Sequence, residues 1–292
     1  AERRVALVLS TYPGKPHQMA HAVGLDALAS TEAILSDMTA AGFDTSGAPD
    51  LVAALANESL HWPLAAYRDA LAMLPEALRT ALQESWGEPE DDPAVLDGAF
   101  RFSAMAVGNA LVALQPERGA LADRDDSYHD IARCPRHGYV AFYLWLRAQG
   151  ADALVHVGAH GTLEWLPGKA VALSDACWPE ALTTGLPVIY PFIVNDPGEA
   201  AQAKRRIGAV TIGHAPPPLA PTAQGAGLAR IETLLDEFSN AGGLDPARRD
   251  RLQGAIRDEA RALGLEAELG LDTAASLVEA ITRIDRFVCD VK

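Results

Sequence analysis

The sequence predicts an α/β fold, a mostly parallel sheet with helices on both faces, followed by a C-terminal helical unit. Three observations carry this expectation. Short apolar runs alternate with segments of helical period over the first two-thirds of the 292 residues, the pattern of strands joined by crossover helices. The stretch PPPLAPTAQGAG, beginning at Pro216, then interrupts the alternation and reads as an extended linker. Beyond it only helical patterns continue. The division is therefore residues 1–218 for the α/β unit and 219–292 for the helical one.

Each element has its own signal. Residues 5–10 form a short apolar run fit for a buried strand. Residues 27–41 read as a helix, with Ser30, Thr31 and Glu32 in its first turns and Gly42 as its stop. Helical patterns follow at 51–59 and 63–86, ahead of an acidic loop at 88–92. Strands are expected at 100–107 and 110–115, a helix at 139–149 and a strand at 153–157. A strand at 187–194, a helix at 197–206 and a strand at 209–213 complete the α/β unit. Three helices, 228–240, 246–263 and 273–288, make up the rest, the second opened by Asp245-Pro246 as N-cap and first-turn proline.

Composition excludes several classes. Hydrophobic residues are 49% and charged residues 22%, and mean hydropathy is near zero, as in a soluble globular protein. The longest nearly apolar stretch, 104–114, is interrupted by Gly108 and Asn109 and falls short of the roughly 20 residues a membrane span takes. No membrane association is expected. AERRVALVLS has only a strand-length apolar run and no cleavage signature, so no signal peptide is expected; the missing initiator Met fits an excised piece. The net charge of −15 argues against nucleic acid. Three widely spaced cysteines, with no C-x-x-C, fit a reducing cytoplasm.

The chemistry concentrates in residues 151–169, ADALVHVGAHGTLEWLPGK, where His156, His160 and Glu164 recur at four-residue intervals. A helix would stack them on one face, but Gly158 and Gly161 would each cost a helix about 1 kcal/mol. A strand running into a glycine loop is expected instead, with the three groups at its C-terminal end, where open α/β sheets bind ligands. Two imidazoles and a carboxylate can hold a transition metal or move protons near neutral pH. The plainer reading of His156 is a strand histidine bonded to a carbonyl. Glu164, between Leu163 and Trp165, is either a desolvated base of raised pKa or an exposed loop carboxylate. Lys169 either meets a substrate carboxylate or solvates a turn.

Three further clusters stand apart from this segment, the first on a loop entering a helix and the other two at expected strand ends. Tyr128, His129 and Asp130 precede Cys134 and His137; this spacing matches no standard zinc finger, and a pocket wall is the alternative. Asn195, Asp196, Pro197 and Glu199 read as a helix start, with Lys204, Arg205 and Arg206 one to two turns on, and arginine can bind carboxylates bidentately. At least one of those three cations should be solvated. Tyr12, Pro13, Gly14, His17, His21 and Asp26 follow the first strand as pocket lining. A P-loop, a nucleophile elbow and an H-E-x-x-H motif are all absent from the sequence.

HVGAHGTLEWLPGK, with LSDACWPEAL, LPVIYPFIVNDPGEAAQAKRR and DRFVCDVK, closely resembles the family of the aerobic cobaltochelatase large subunit and the magnesium chelatase porphyrin-binding subunit. The resemblance extends upstream through QPERG, YHD and RHGYVAFYLWLR to VGLDALAS. Leu163, Trp165 and Leu166 are similar to the cobalt type, whereas Ala159 departs from the family's usual Lys or Thr. Known large subunits are several-fold longer, so the chain looks like a central fragment. The resemblance implies an enzyme that binds a tetrapyrrole, hydrogenobyrinic acid a,c-diamide, and inserts Co²⁺ in cobalamin biosynthesis. It implies that ATP and Mg²⁺ are used by separate AAA-type ATPase subunits, and that the isolated piece is inactive without them. His156, His160 and Glu164 would be the catalytic and metal-handling residues; His129, His137, Lys169, Glu199, Lys204, Arg205 and Arg206 would contact the ring. Rival readings are a non-catalytic tetrapyrrole-binding or partner-docking module, a magnesium chelatase subunit and a metal-assisted hydrolase.

Overall fold

The computed structural model describes residues 2–10, 20–22, 25–45, 50–119, 131–158, 161–193, 197–213, 226–240 and 246–291. In chain order, β1 (Val5–Leu9) precedes the two-residue strands β2 (His21–Ala22) and β3 (Leu25–Asp26), then α1 (Ala27–Ala40) and α2 (Leu51–Asn57). Both helices start at an aspartate cap. Asp26 Oδ1 accepts from Ala29 N at 2.8 Å, and Asp50 Oδ1 from Ala53 N at 3.1 Å. Next come β4 (Leu60–Pro63), α3 (Leu64–Ala72), α4 (Glu76–Trp86), β5 (Val95–Leu96), β6 (Ala99–Phe102), β7 (Ala104–Val107) and β8 (Ala110–Leu114). The second half of the α/β unit comprises α5 (His137–Ala148), β9 (Ala153–Val157), α6 (Trp178–Thr183), β10 (Val188–Pro191), α7 (Pro197–Arg206) and β11 (Val210–Ile212). The C-terminal helices are α8 (Ala226–Asn240), α9 (Pro246–Ala262), α10 (Leu265–Glu268) and α11 (Leu277–Val291).

The main sheet has six strands in the order β11-β10-β9-β1-β8-β7. All its pairs are parallel except β7 with β8. Its strands are apolar on both sides because both sides are covered. Ala6 and Val8 of β1 pack with α3 to α7, while Leu7 and Leu9 face the cluster built on α1 and α2. Helix α5 is buried from His137 through Leu146. Its first turn is held by Asp92, whose Oδ2 accepts from Gly138 N at 2.7 Å and whose Oδ1 lies 3.2 Å from Arg136 Nη1.

Two expectations need correction. The helix expected over 63–86 is two helices, because Pro75 has no amide proton to donate and pushes Leu74 out of the helical region. The strand expected over 100–107 divides at Ser103: β6 joins β4 and β5 in a separate antiparallel three-stranded sheet, and β7 pairs with β8. Apolar residues continue through the division, so their pattern does not show the change of partner.

The five parallel strands follow the 2-1-3-4-5 order of doubly wound sheets of the flavodoxin type. The connection from β8 through α5 to β9 passes behind β1, so the winding reverses between β1 and β9. The ends of those two strands form the crevice where such sheets take ligands.

Residues 226–240 and 246–291 contribute no strand. Ile231, Leu235, Phe238, Leu252, Ile256, Ile281, Ile284 and Val288 make a separate core among α8, α9 and α11. Helix α11 docks this unit on the sheet domain. Asn57 Nδ2 donates to Glu279 Oε2 at 2.8 Å, Arg283 pairs with Asp50, and Arg286 Nε meets Asp26 Oδ2 at 3.0 Å.

Candidate functional site

Three parallel strands bring the site together. Ser10, the residue after β1, reaches across to His156 on β9, with Oγ and Nε2 2.8 Å apart. Tyr190 on β10 lies beyond, its ring centroid 4.5 Å from that of His156. Its hydroxyl donates to Glu164 Oε1 at 3.3 Å. His156 and Glu164 are thus tied to one tyrosine at the C-terminal edge of the sheet, beside the reversal point. His160 and Ala159 lie outside the described residues, and those described include no group of three or more His, Cys, Asp or Glu arranged to hold a metal ion.

Glu164 sits in a single helical turn, Leu163–Trp165, and is fully buried. Its Oε2 has no hydrogen-bond partner among the described residues. Burial pushes its pKa up to about 7, and the nearby Glu199 carboxylate adds to the rise. The Tyr190 hydroxyl and the backbone amides of Glu164 and Gly161 offset part of it. A carboxyl with that pKa exchanges its proton near neutrality, the property wanted in a general base. A side chain on Gly161 would stand 2.3 Å from the Tyr190 hydroxyl and 3.0 Å from Glu164 Oε2, so only glycine leaves both groups in place.

The loop around Glu164 is held through its carbonyls. Arg206, buried at the end of α7, donates to the oxygens of Glu164, Leu166 and Lys169, the last two at 2.6 and 3.0 Å. Arg118 Nη1 donates to Trp165 O at 3.0 Å. The Tyr139 hydroxyl is 2.7 Å from Thr162 Oγ1, and Gln115 Nε2 donates to the hydroxyls of Tyr139 and Tyr143. Gly168 packs so tightly on Cys177 that a Cβ would come within 2.6 Å of it, with a φ of 153°. On β10, Phe192 follows with φ of 75°. A bulky residue held there costs about 1–3 kcal/mol and marks the strand end as conformationally constrained.

The other sequence candidates fall in different places. Glu199 is buried beside the site, whereas Lys169, Lys204 and Arg205 are exposed. Arg206 faces inward and spends its guanidinium on backbone, so the α7 cations open to a ligand are Lys204 and Arg205. His137 lies on the far side of the α5 start, against α3 and α4. Its Nε2 donates to Gly87 O at 3.0 Å, which leaves Nδ1 to accept from the Tyr67 hydroxyl at 2.6 Å. Burial holds its pKa below the ordinary histidine range, and neither ring nitrogen is left for a metal beside Cys134. Asp26 caps α1 and binds Arg286. Tyr12, Pro13, Gly14, His17, Tyr128, His129, Asp130, Asn195 and Asp196 lie outside the described residues, as does the side chain of His21. Sequence reasoning missed Ser10, Tyr190, Gly161 and Arg118. The one signal for them was position: Ser10 and Tyr190 both stand at the ends of apolar runs that read as parallel strands.

The model of the family described as CobN/Magnesium Chelatase matches residues 1–292. The aerobic cobaltochelatase subunit CobN of Pseudomonas aeruginosa is 43% identical over 100% of this chain and 25% of its own length. The subunit of the same name from a Sinorhizobium species is 42% identical over 100% of this chain and 24% of its own. A magnesium-chelatase subunit of Rhodobacter capsulatus is 32% identical over 91% of this chain and 23% of its own. The solved catalytic subunit of cobaltochelatase from Mycobacterium tuberculosis superposes with a TM-score of 0.65 at 35% identity, over 98% of this chain and 26% of that one. The chain therefore spans about a quarter of the length of these relatives. The match extends over all 292 residues and includes the whole Ser10–His156–Tyr190–Glu164 group, and the chain belongs to the CobN/magnesium chelatase family.

Proposed function

We propose that this chain is the tetrapyrrole-holding, metal-inserting part of a cobaltochelatase large subunit, with hydrogenobyrinic acid a,c-diamide and Co²⁺ as substrates. The observation that carries the reading is Glu164: fully buried, with one oxygen unpartnered among the described residues and a pKa near neutrality. Placing a divalent ion in the free-base corrin displaces its one inner N–H proton, which needs an acceptor at the ring. Glu164 Oε2 is the lone-pair donor that takes it, or that holds the incoming ion as its water is stripped. His156, fixed by Ser10, and His160 deliver the ion. Imidazole with carboxylate suits Co²⁺ without excluding neighbouring divalent metals, so the choice of metal does not rest on affinity alone. Identity of 42% and 43% to the two cobaltochelatase subunits, against 32% to a magnesium chelatase subunit, supports cobalt.

Lys169, Lys204 and Arg205 grip carboxylates of the macrocycle, with His129 and Glu199 as further contacts. AAA-type ATPase partners supply ATP hydrolysis with Mg²⁺ in the cytoplasm, and the isolated chain is inactive without them. The test is Glu164→Gln in the full-length subunit with its ATPase partners, followed by ring absorbance. Insertion should fall by about 10²-fold or more, the scale of a lost general base, while ring binding persists. Insertion at the parental rate would reduce Glu164 to a structural carboxyl.

A further inference from the structure

We propose that the outer edge of β11, with the neighbouring 171–173 segment, is an internal interface covered by another part of the same long polypeptide. Among the described residues β11 is the last strand on its side of the sheet, pairing with β10 alone. Its register sets Val210 beside Ile189 and Ile212 beside Pro191. Ile189 packs towards the α1–α2 side, so Val210 and Ile212 project to that side too. There the two helices cover β1, but no described element covers β11: Val210 is 58% and Ile212 49% exposed. Val171 and Leu173 are 62% and 50% exposed. Leu173 Cδ1 lies 3.6 Å from where a side chain on Gly208 would begin, two residues before β11. Val210 and Ile212 thus stand exposed on a strand that is at the sheet edge among the described residues, with Leu173 beside the approach to it and Val171 two residues before Leu173.

A bare strand edge with apolar side chains pairs with whatever is offered, and proteins cover such edges. The occupant follows from length. Relatives matching this chain along its whole length carry about three-quarters of their own residues outside the match. Covalent linkage gives a segment of that remainder a far higher local concentration at β11 than any separate partner has. The interface is independent of the role given to Glu164.

The test is Ile212→Cys and Val171→Cys, placed separately in this chain and in the full-length subunit. Maleimide labelling is mapped by peptide mass, with the urea-unfolded protein as rate reference. Both cysteines should label readily in the 292-residue chain and at least about tenfold more slowly in the full-length monomer, as for a site reached only by local opening. Hydrogen exchange of the unsubstituted 210–212 amides, measured in parallel, should show the same gain and guards against damage by the substitution. Equal labelling and exchange in both proteins would overturn the proposal. Protection that appears only as the full-length protein dimerises, or only when ATPase partners are added, would overturn it in favour of a second copy or a separate polypeptide.

Discussion

Replacing Glu164 with glutamine should change how stability depends on pH, by an amount the burial of the carboxyl sets. The folded-state pKa of Glu164 is about 7, against an ordinary value of 4.5. As pH rises from 4.5 the unfolded chain gives up this proton first, so the folded state binds more protons and loses stability until about pH 7. The penalty levels off above that. A rise of this size corresponds to about 3 kcal/mol. Glutamine keeps the volume and titrates nowhere in the range, so Glu164→Gln lacks the decline. The assay is urea unfolding of both proteins at pH 4.5, 6 and 8, with the other titrating groups cancelling in the difference. Relative to the parent, the variant should gain about 3 kcal/mol between pH 4.5 and 8. A difference independent of pH would refute the buried, proton-exchanging carboxyl on which the functional reading depends.

Other substitutions test the surrounding frame. Tyr67→Phe leaves buried His137 Nδ1 without its donor and should cost about 1–3 kcal/mol by urea denaturation at pH 8. Because burial lowers the His137 pKa, the unfolded state takes up its proton first, so parental stability should fall below about pH 6.5 and His137→Gln should flatten that fall. Arg206→Lys exchanges a fork that reaches three carbonyls for a single ammonium; it should lower stability by about 2 kcal/mol or more and speed proteolysis within 164–169. Gly161→Ala forces Tyr190 or Glu164 aside and should lower the melting temperature, at a cost of about 1–3 kcal/mol.

Local signals carried the fold well where one residue settles the backbone. Pro197 opens α7 and Pro246 opens α9, and the apolar run 153–157 is β9 to the residue. They failed where the decision was made at a distance. Nothing near Ser103 tells the chain to leave one sheet for another, since that depends on which strands lie alongside. The site divides in the same way. His156 and Glu164 were legible because they share one short segment, whereas Ser10 and Tyr190 reach them only through the β1-β9-β10 order. The run Lys204-Arg205-Arg206 gave three equal candidates for gripping a ligand. The pitch of α7 then separated them, turning Arg206 onto the 164–169 loop and leaving the other two in solvent.

The two aspartates that begin α1 and α2 divide their oxygens in the same way. In each, Oδ1 serves the helix's own amide and Oδ2 receives an arginine of α11. Helix initiation in the sheet domain and attachment of the C-terminal helices thus draw on the same carboxyl groups. Asparagine at position 26 or 50 would separate the two tasks, because its carbonyl still caps the helix while its amide repels the guanidinium. High salt should act on the same division, loosening attachment while both helices keep their starts. Since α1 also packs against β9, a change at α11 reaches, through Asp26 and α1, the strand that carries His156.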